Sequence, residues 1–89
     1  MVYLITYDLN KAKDYPKLYE AIKSIGEWAR DPDLDSVWFV STSLTAQSIY
    51  DRLRPHIDSD DRLFITQLHR GTHQGWLAKA TWDWINARV

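Results

Sequence analysis

The chain has 89 residues, 45% of them hydrophobic and 26% charged, with a formal net charge of −1 and no cysteine. This length holds one domain with one thin core, because so short a chain hides only about 60–65% of its unfolded surface. The composition excludes a disulfide framework and thiolate metal sites, and the charge balance argues against nucleic-acid binding through overall charge. No stretch reaches the roughly 18 apolar residues of a membrane span. The N-terminal apolar run is short and lacks a basic leader, so a cytoplasmic location is expected. Five Trp and five Tyr are many for this size. Such aromatics fill cores but also favour interfaces.

In chain order, Val2, Leu4 and Thr6 alternate with Tyr3, Ile5 and Tyr7, the period-two pattern of a strand that stops at Asp8. A helix follows, with Asp14 as N-cap, Pro16 in the first turn and an apolar stripe of Leu18, Ala21, Ile22 and Ile25. Glu20 and Lys23 are spaced to pair on its outer face. Gly26 suits the stop. Glu27–Arg30 reads as a short strand, and Asp31-Pro-Asp-Leu34 as a turn with Pro in second place.

Asp35–Thr42 is a strand with apolar residues on both faces, Val37 and Phe39 against Trp38 and Val40. Ser43 or Thr45 can cap a second helix carrying Ala46, Ile49, Tyr50 and Leu53, which Pro55 closes. A polar connection over residues 56–61 leads to a strand, Arg62–Leu68. A loop with Gly71 and Gly75 then precedes a short C-terminal helix with Trp76, Leu77, Ala80 and Trp84 as its stripe.

The order strand, helix, two strands, helix, strand predicts one α+β domain over residues 1–89. It is the ferredoxin-like βαββαβ arrangement, an antiparallel sheet with both helices on one face and a helical, Trp-rich tail over residues 75–89. The bare sheet face needs cover. Tyr3, Tyr7, Trp38 and the tail aromatics are expected to supply it by pairing two sheets face to face in a homodimer.

Three pieces resemble a known family. Tyr3-Leu-Ile-Thr-Tyr-Asp8 resembles the opening strand of the small CRISPR spacer-acquisition subunit, the second Cas protein, and of VapD-type toxin ribonucleases. Asp35-Ser-Val-Trp-Phe39 resembles the family's Ser-Val-Phe strand, and Asp61-Arg-Leu-Phe-Ile65 its last core strand with a leading Asp. The chain departs from the pattern in three ways: no arginine-rich start after Asp8, a Trp-rich helix where many members add a strand, and an acidic net charge. The resemblance implies face-to-face dimers, a metal-associated Asp8, and either Mg²⁺-dependent nuclease activity or a scaffold that holds an integrase and DNA. A toxin relative would instead face an antitoxin protein.

Asp8 is the leading candidate for metal binding and catalysis. Mg²⁺ prefers carboxylate oxygen and keeps several waters, so one Asp8 from each subunit across a dyad could hold a single ion. That ion would acidify water and offset charge on a scissile phosphate of RNA or DNA. The alternative is an Asp that caps its own loop. Asn10, Lys11 and Lys13 are the candidate phosphate contacts beside it, or else an ordinary solvated loop.

His69 and His73 stand at the helical zinc spacing, but Gly71 between them and no third ligand argue against zinc. They and Arg70 can donate to phosphate. Asp58, Asp60 and Asp61 lack the ligand spacing of a calcium loop and read as a connection. Trp76, Trp82 and Trp84 can stack on bases or pack within the protein. The expected function is a metal-dependent endonuclease acting as a homodimer, the alternative a non-catalytic scaffold or regulator that binds nucleic acid or protein.

Overall fold

The computed structural model describes residues 1–9 and 15–89. Its elements are β1 (Val2–Asp8), α1 (Tyr15–Lys23), β2 (Glu27–Ala29), β3 (Val37–Ser41), α2 (Ala46–Leu53), a 3-10 turn (Arg54–His56), β4 (Arg62–Leu68) and α3 (Lys79–Asn86). Among the described residues the fold is mixed α+β, with three helices and one antiparallel four-stranded sheet in the order β2-β3-β1-β4. Asp14, the expected cap of α1, lies outside the described residues.

Local chemistry accounts for most boundaries. Thr45 caps α2 by accepting from Ser48 N at 3.1 Å, which satisfies one of the amides a helix start leaves open. Pro55 sits in the 3-10 turn that ends α2. Leu34 N donates to Asp31 O at 3.2 Å, closing the turn between β2 and β3. Glu20 and Lys23 do pair, at 3.8 Å on the exposed side of α1. Gly71, with φ +80°, occupies the left-handed position of the turn closed by Thr72 N and His69 O.

Registers divide the sheet into two faces. Ile5 stands between Trp38 and Ile65, and Tyr3 opposite Val40. These residues, with Tyr7, pack against Leu18 and Ile22 of α1 and Ile49 and Leu53 of α2. Fully buried side chains such as Ile5, Leu18 and Leu53 each contribute about 1.5–3 kcal/mol. Tyr3 and Tyr7 keep their hydroxyls satisfied inside this core. Tyr3 Oη donates to Leu44 O at 2.8 Å, and Tyr7 Oη accepts from Trp38 Nε1 at 3.2 Å.

This placement corrects one expectation. Tyr3, Tyr7 and Trp38 lie under the two helices of their own chain, so they are not available to cover a second sheet. Trp38 is large enough to fill the space between β3 and α1, where Tyr19 meets its ring at 5.4 Å.

The outer face carries Val2, Leu4, Thr6 and Asp8 of β1, Val37 and Phe39 of β3, and Arg62, Phe64, Thr66 and Leu68 of β4. The tail helix closes part of it. Ala78 N donates to Asp31 Oδ2 at 2.8 Å just past the end of β2, and Arg88 Nη2 meets Glu27 at 3.1 Å at its start. The two anchors lay α3 antiparallel along β2. Val2, Phe39 and Ile85 are buried there, apart from the main core.

The tail helix starts later than expected and uses another stripe. Trp76 is 98% exposed and precedes it, while Thr81 and Ile85 are the residues it buries. Trp82 and Trp84 are half-buried and engaged within the chain. His73 stacks on Trp82 at 6.0 Å, and the Arg88 guanidinium lies over Trp84 at 4.3 Å. Among the described residues no helix is long and apolar enough to cross a membrane.

Candidate functional site at the end of β1

Strand β1 runs through the middle of the sheet and ends at Asp8, which is exposed on the outer face. Antiparallel pairing sets Asp8 opposite Arg62, the first residue of β4, and Thr6 opposite Phe64. An open cleft of about 380 Å³ lies at this corner, lined by Thr6, Tyr7, Asp8, Arg62, Leu63 and Phe64. Arg62 Nη1 donates to Asp61 O at 3.1 Å. Phe64 is 62% exposed, unusual for a phenyl ring in a sheet.

Below Asp8, on the helix side, Tyr7 is held in a run of rings. Tyr15 and Tyr19 each lie 6.4 Å from it. Burial, together with a hydrogen bond to Tyr19, pushes the Tyr7 hydroxyl up to about 12, and the Trp38 N–H opposes the shift. Tyr7 therefore stays neutral at ordinary pH and serves as a fixed floor to the corner, not as a base. Arg30 stacks over Trp38 at 4.4 Å and Tyr19 at 5.1 Å, and it donates to Asp35 O. The same sheet end thus carries guanidinium groups on both sides of β1.

Asp58, Asp60 and Asp61, expected to be a plain connection, converge so that ligand oxygens lie within 4.8 Å of one another and could hold a metal ion. The turn that gathers them is closed from inside: Asp58 N donates to Asp61 Oδ2 at 2.8 Å, and Asp61 N donates to Asp58 O at 3.1 Å. Because Arg62 faces Asp8, this acidic turn lies at the sheet end that carries Asp8. Spacing alone did not reveal it, since the convergence depends on the turn. Among the described residues, Asp8 is not one of the three.

The other candidates separate. Asn10, Lys11 and Lys13, expected to contact phosphate, lie outside the described residues. His69 and Arg70 are exposed in the turn before the tail, and His73 belongs to the Trp82 stack. Asp31, expected as a turn residue, does more. It accepts from Asp33 N at 3.0 Å and from Ala78 N at 2.8 Å, and a bond with the Thr81 side chain adds to these. The Asp33 amide first, then the other donors, hold its carboxyl below the ordinary carboxylate value, against the effect of burial. No signal in sequence could pair it with a residue 47 positions away. No protein-family model matches the chain, and no solved structure matches it significantly.

Proposed function

We propose that the chain is a ferredoxin-like βαββαβ domain of the second-Cas-protein and VapD type, working as a homodimer that cleaves a phosphodiester in RNA or DNA with Mg²⁺. The strand order β2-β3-β1-β4 with antiparallel neighbours supports the fold, since it sets β1 and β3 in the centre and the other two at the edges. Asp8 carries the functional reading. It stands exposed at the C-terminal end of a central strand, paired in register with Arg62, on the face that α3 leaves open.

A carboxylate oxygen suits Mg²⁺, which is commonly held by one or two carboxylates and retained waters. Two copies meeting at this sheet end bring the second Asp8. The bound ion would supply Lewis acidity to water and phosphate. Asp8 would hold the ion, and Arg62 would offset phosphate charge beside it.

The test is cleavage of labelled RNA and DNA by purified protein with and without Mg²⁺, next to Asp8→Ala and Asp60→Asn. Cleavage that needs the metal and falls about a hundredfold in Asp8→Ala supports the reading, on the scale of a positioned catalytic group. Equal rates in wild type and Asp8→Ala would trace the activity to a contaminant. Loss in Asp60→Asn with Asp8→Ala active would move the metal to the acidic turn.

A specific observation favours a second reading, a non-catalytic scaffold. The three carboxylates that converge do so without Asp8, and an exposed phenyl ring adjoins it. Binding without cleavage in either metal condition selects that alternative.

A further inference from the structure

The tail helix has weaker holds on the sheet than the two helices of the main core. Helices α1 and α2 each bury two apolar side chains, Leu18 with Ile22 and Ile49 with Leu53, whereas α3 buries Ile85 and a threonine, Thr81. The start of α3 is capped by Asp31, not by a side chain of its own. At its other end stands the pair of Arg88 with Glu27, whose carboxylate is mostly exposed, and such a pair contributes little. Trp82 and Trp84 carry His73 and Arg88 on their rings, and both of those residues belong to the tail. Residues 69–78, which join β4 to α3, form neither helix nor strand and include Gly71 and Gly75. A segment held in this way opens before the rest of a fold.

What lies beneath and beside α3 is one continuous apolar surface. The outer face of β1, β3 and β4 carries Val2, Leu4, Val37, Phe39, Phe64 and Leu68, and its charges are Asp8 and Arg62 at one end. Phe39 is buried on the β3 side, and Phe64 on β4 is 62% exposed. Strands β1 and β4, of seven residues each, give a planar footprint of about 220 Å², against about 350 Å² for the whole sheet. A stable pair buries about 800 Å² on each partner, about 600 Å² at the low end; roughly doubled for side-chain relief, the whole face reaches that range and the open strip does not. The outer surface of α3 does not make up the difference, since it presents the exposed ion pair of Lys79 and Asp83. A copy of the same face brings one carboxylate and one guanidinium to meet one of each. A uniformly acidic or basic partner leaves one of the two unmatched.

We infer that α3 is an autoinhibitory cover: it occupies part of the face on which a second copy of this chain docks, and dimerisation requires it to swing off β2 and β3. The inference rests on the homodimer reading above and adds its regulation. With α3 seated the chain is a monomer, and the two copies of Asp8 are kept apart.

The test uses the full chain. Because it has no cysteine, Glu27→Cys with Arg88→Cys supplies two thiols that a short bismaleimide bridges, locking α3 on β2. The same double variant capped with N-ethylmaleimide is the unlocked control. Asp31→Asn loosens the other end. Sedimentation equilibrium gives the dimer Kd, and hydrogen exchange gives the uncovered fraction of α3 and verifies that β1 and α2 stay folded in each variant. Both copies must be uncovered, so a tenfold rise in that fraction in Asp31→Asn tightens the dimer about a hundredfold. The bridged protein stays monomeric where the capped control dimerises. Phe64→Ser added to Asp31→Asn weakens the dimer again.

Four outcomes overturn the inference: a bridged protein that dimerises as tightly as its capped control, a Kd that ignores the uncovered fraction, no dimer in any form at high micromolar concentration, or a loosened variant whose association grows without limit or ignores Phe64→Ser. Cleavage assays on the same samples separate the inference from the nuclease reading. A bridged protein that stays dimeric and cleaves RNA or DNA in an Asp8-dependent way removes the cover and leaves the nuclease standing. Dimerisation that follows α3, with no cleavage in any form, sinks the nuclease and leaves the cover.

Discussion

Asp31 joins two parts of the chain that are far apart in sequence. One carboxylate oxygen closes the turn after β2, and the other accepts the amide at the start of α3, a helix whose own Ala78 cap supplies no side-chain bond. It acts as an N-cap given from elsewhere in the fold. Asp31→Asn keeps one acceptor oxygen and turns an NH₂ toward an amide, so the helix start loses its partner. The expected result is a Tm lower by about 5–10 °C at neutral pH. Because the native carboxyl is held below its ordinary value of 3.8, its stabilisation is complete above that value and fades as the pH falls through the lower native one. Melts repeated at about pH 2–3 should therefore show a smaller gap between wild type and Asp31→Asn. A gap that stays constant with pH would show that the charge is not what matters.

At the scale of elements, Gly26 decides how α1 feeds into β2. A glycine two or three residues past a helix suggests a left-handed cap, yet Gly26 does not have a positive φ. Its reason is proximity. A Cβ there would stand 2.2 Å from the Ser41 carbonyl oxygen, so β3 passes too close for any side chain. The neighbouring atom is backbone and cannot rotate away. Gly26→Ala should cost about 3 kcal/mol, the upper end for overpacking, read from the urea midpoint. Gly75→Ala, with open space around it, is the matched control and should be neutral or stabilising by up to about 1 kcal/mol. Equal effects at the two positions would refute the proximity account. Propensity, capping and turn chemistry placed β1, β2, β4 and α2 correctly, because each is decided by residues within a few positions. The start of α3 was missed for the opposite reason: its cap comes from Asp31.

The whole molecule has two cores of unequal size on the two sides of one sheet. The larger lies under α1 and α2, and the smaller gathers Val2, Phe39, Thr81 and Ile85 beneath α3. Ile85→Ala should cost about 2–5 kcal/mol of the smaller core's stability. Hydrogen exchange is the informative measurement. Amides of α3 should lose protection first while those of β1 and α2 hold theirs, as expected for a locally opening unit. A uniform loss across the sheet would mean that the two cores unfold as one. Since α3 covers only the β2 side, the β4 side stays open, and Asp8, Arg62 and Phe64 lie on it.

Period-two patterning alone determined which residues share a sheet face, and 3.6-residue patterning determined which helix stripes turn inward. These are properties of neighbouring residues along one backbone. Patterning also singled out Asp8 as the acid at the tip of the first strand. What covers each face was decided only in three dimensions. Both faces of β3 are apolar, so hydrophobicity could not tell the side under the helices from the side under the tail. Tertiary structure sent Tyr3, Tyr7 and Trp38 inward, drew the tail onto β2 through Asp31, and brought three aspartates together in one turn. It also put Arg62 across from Asp8, because strand register depends on packing and turn lengths along the whole chain.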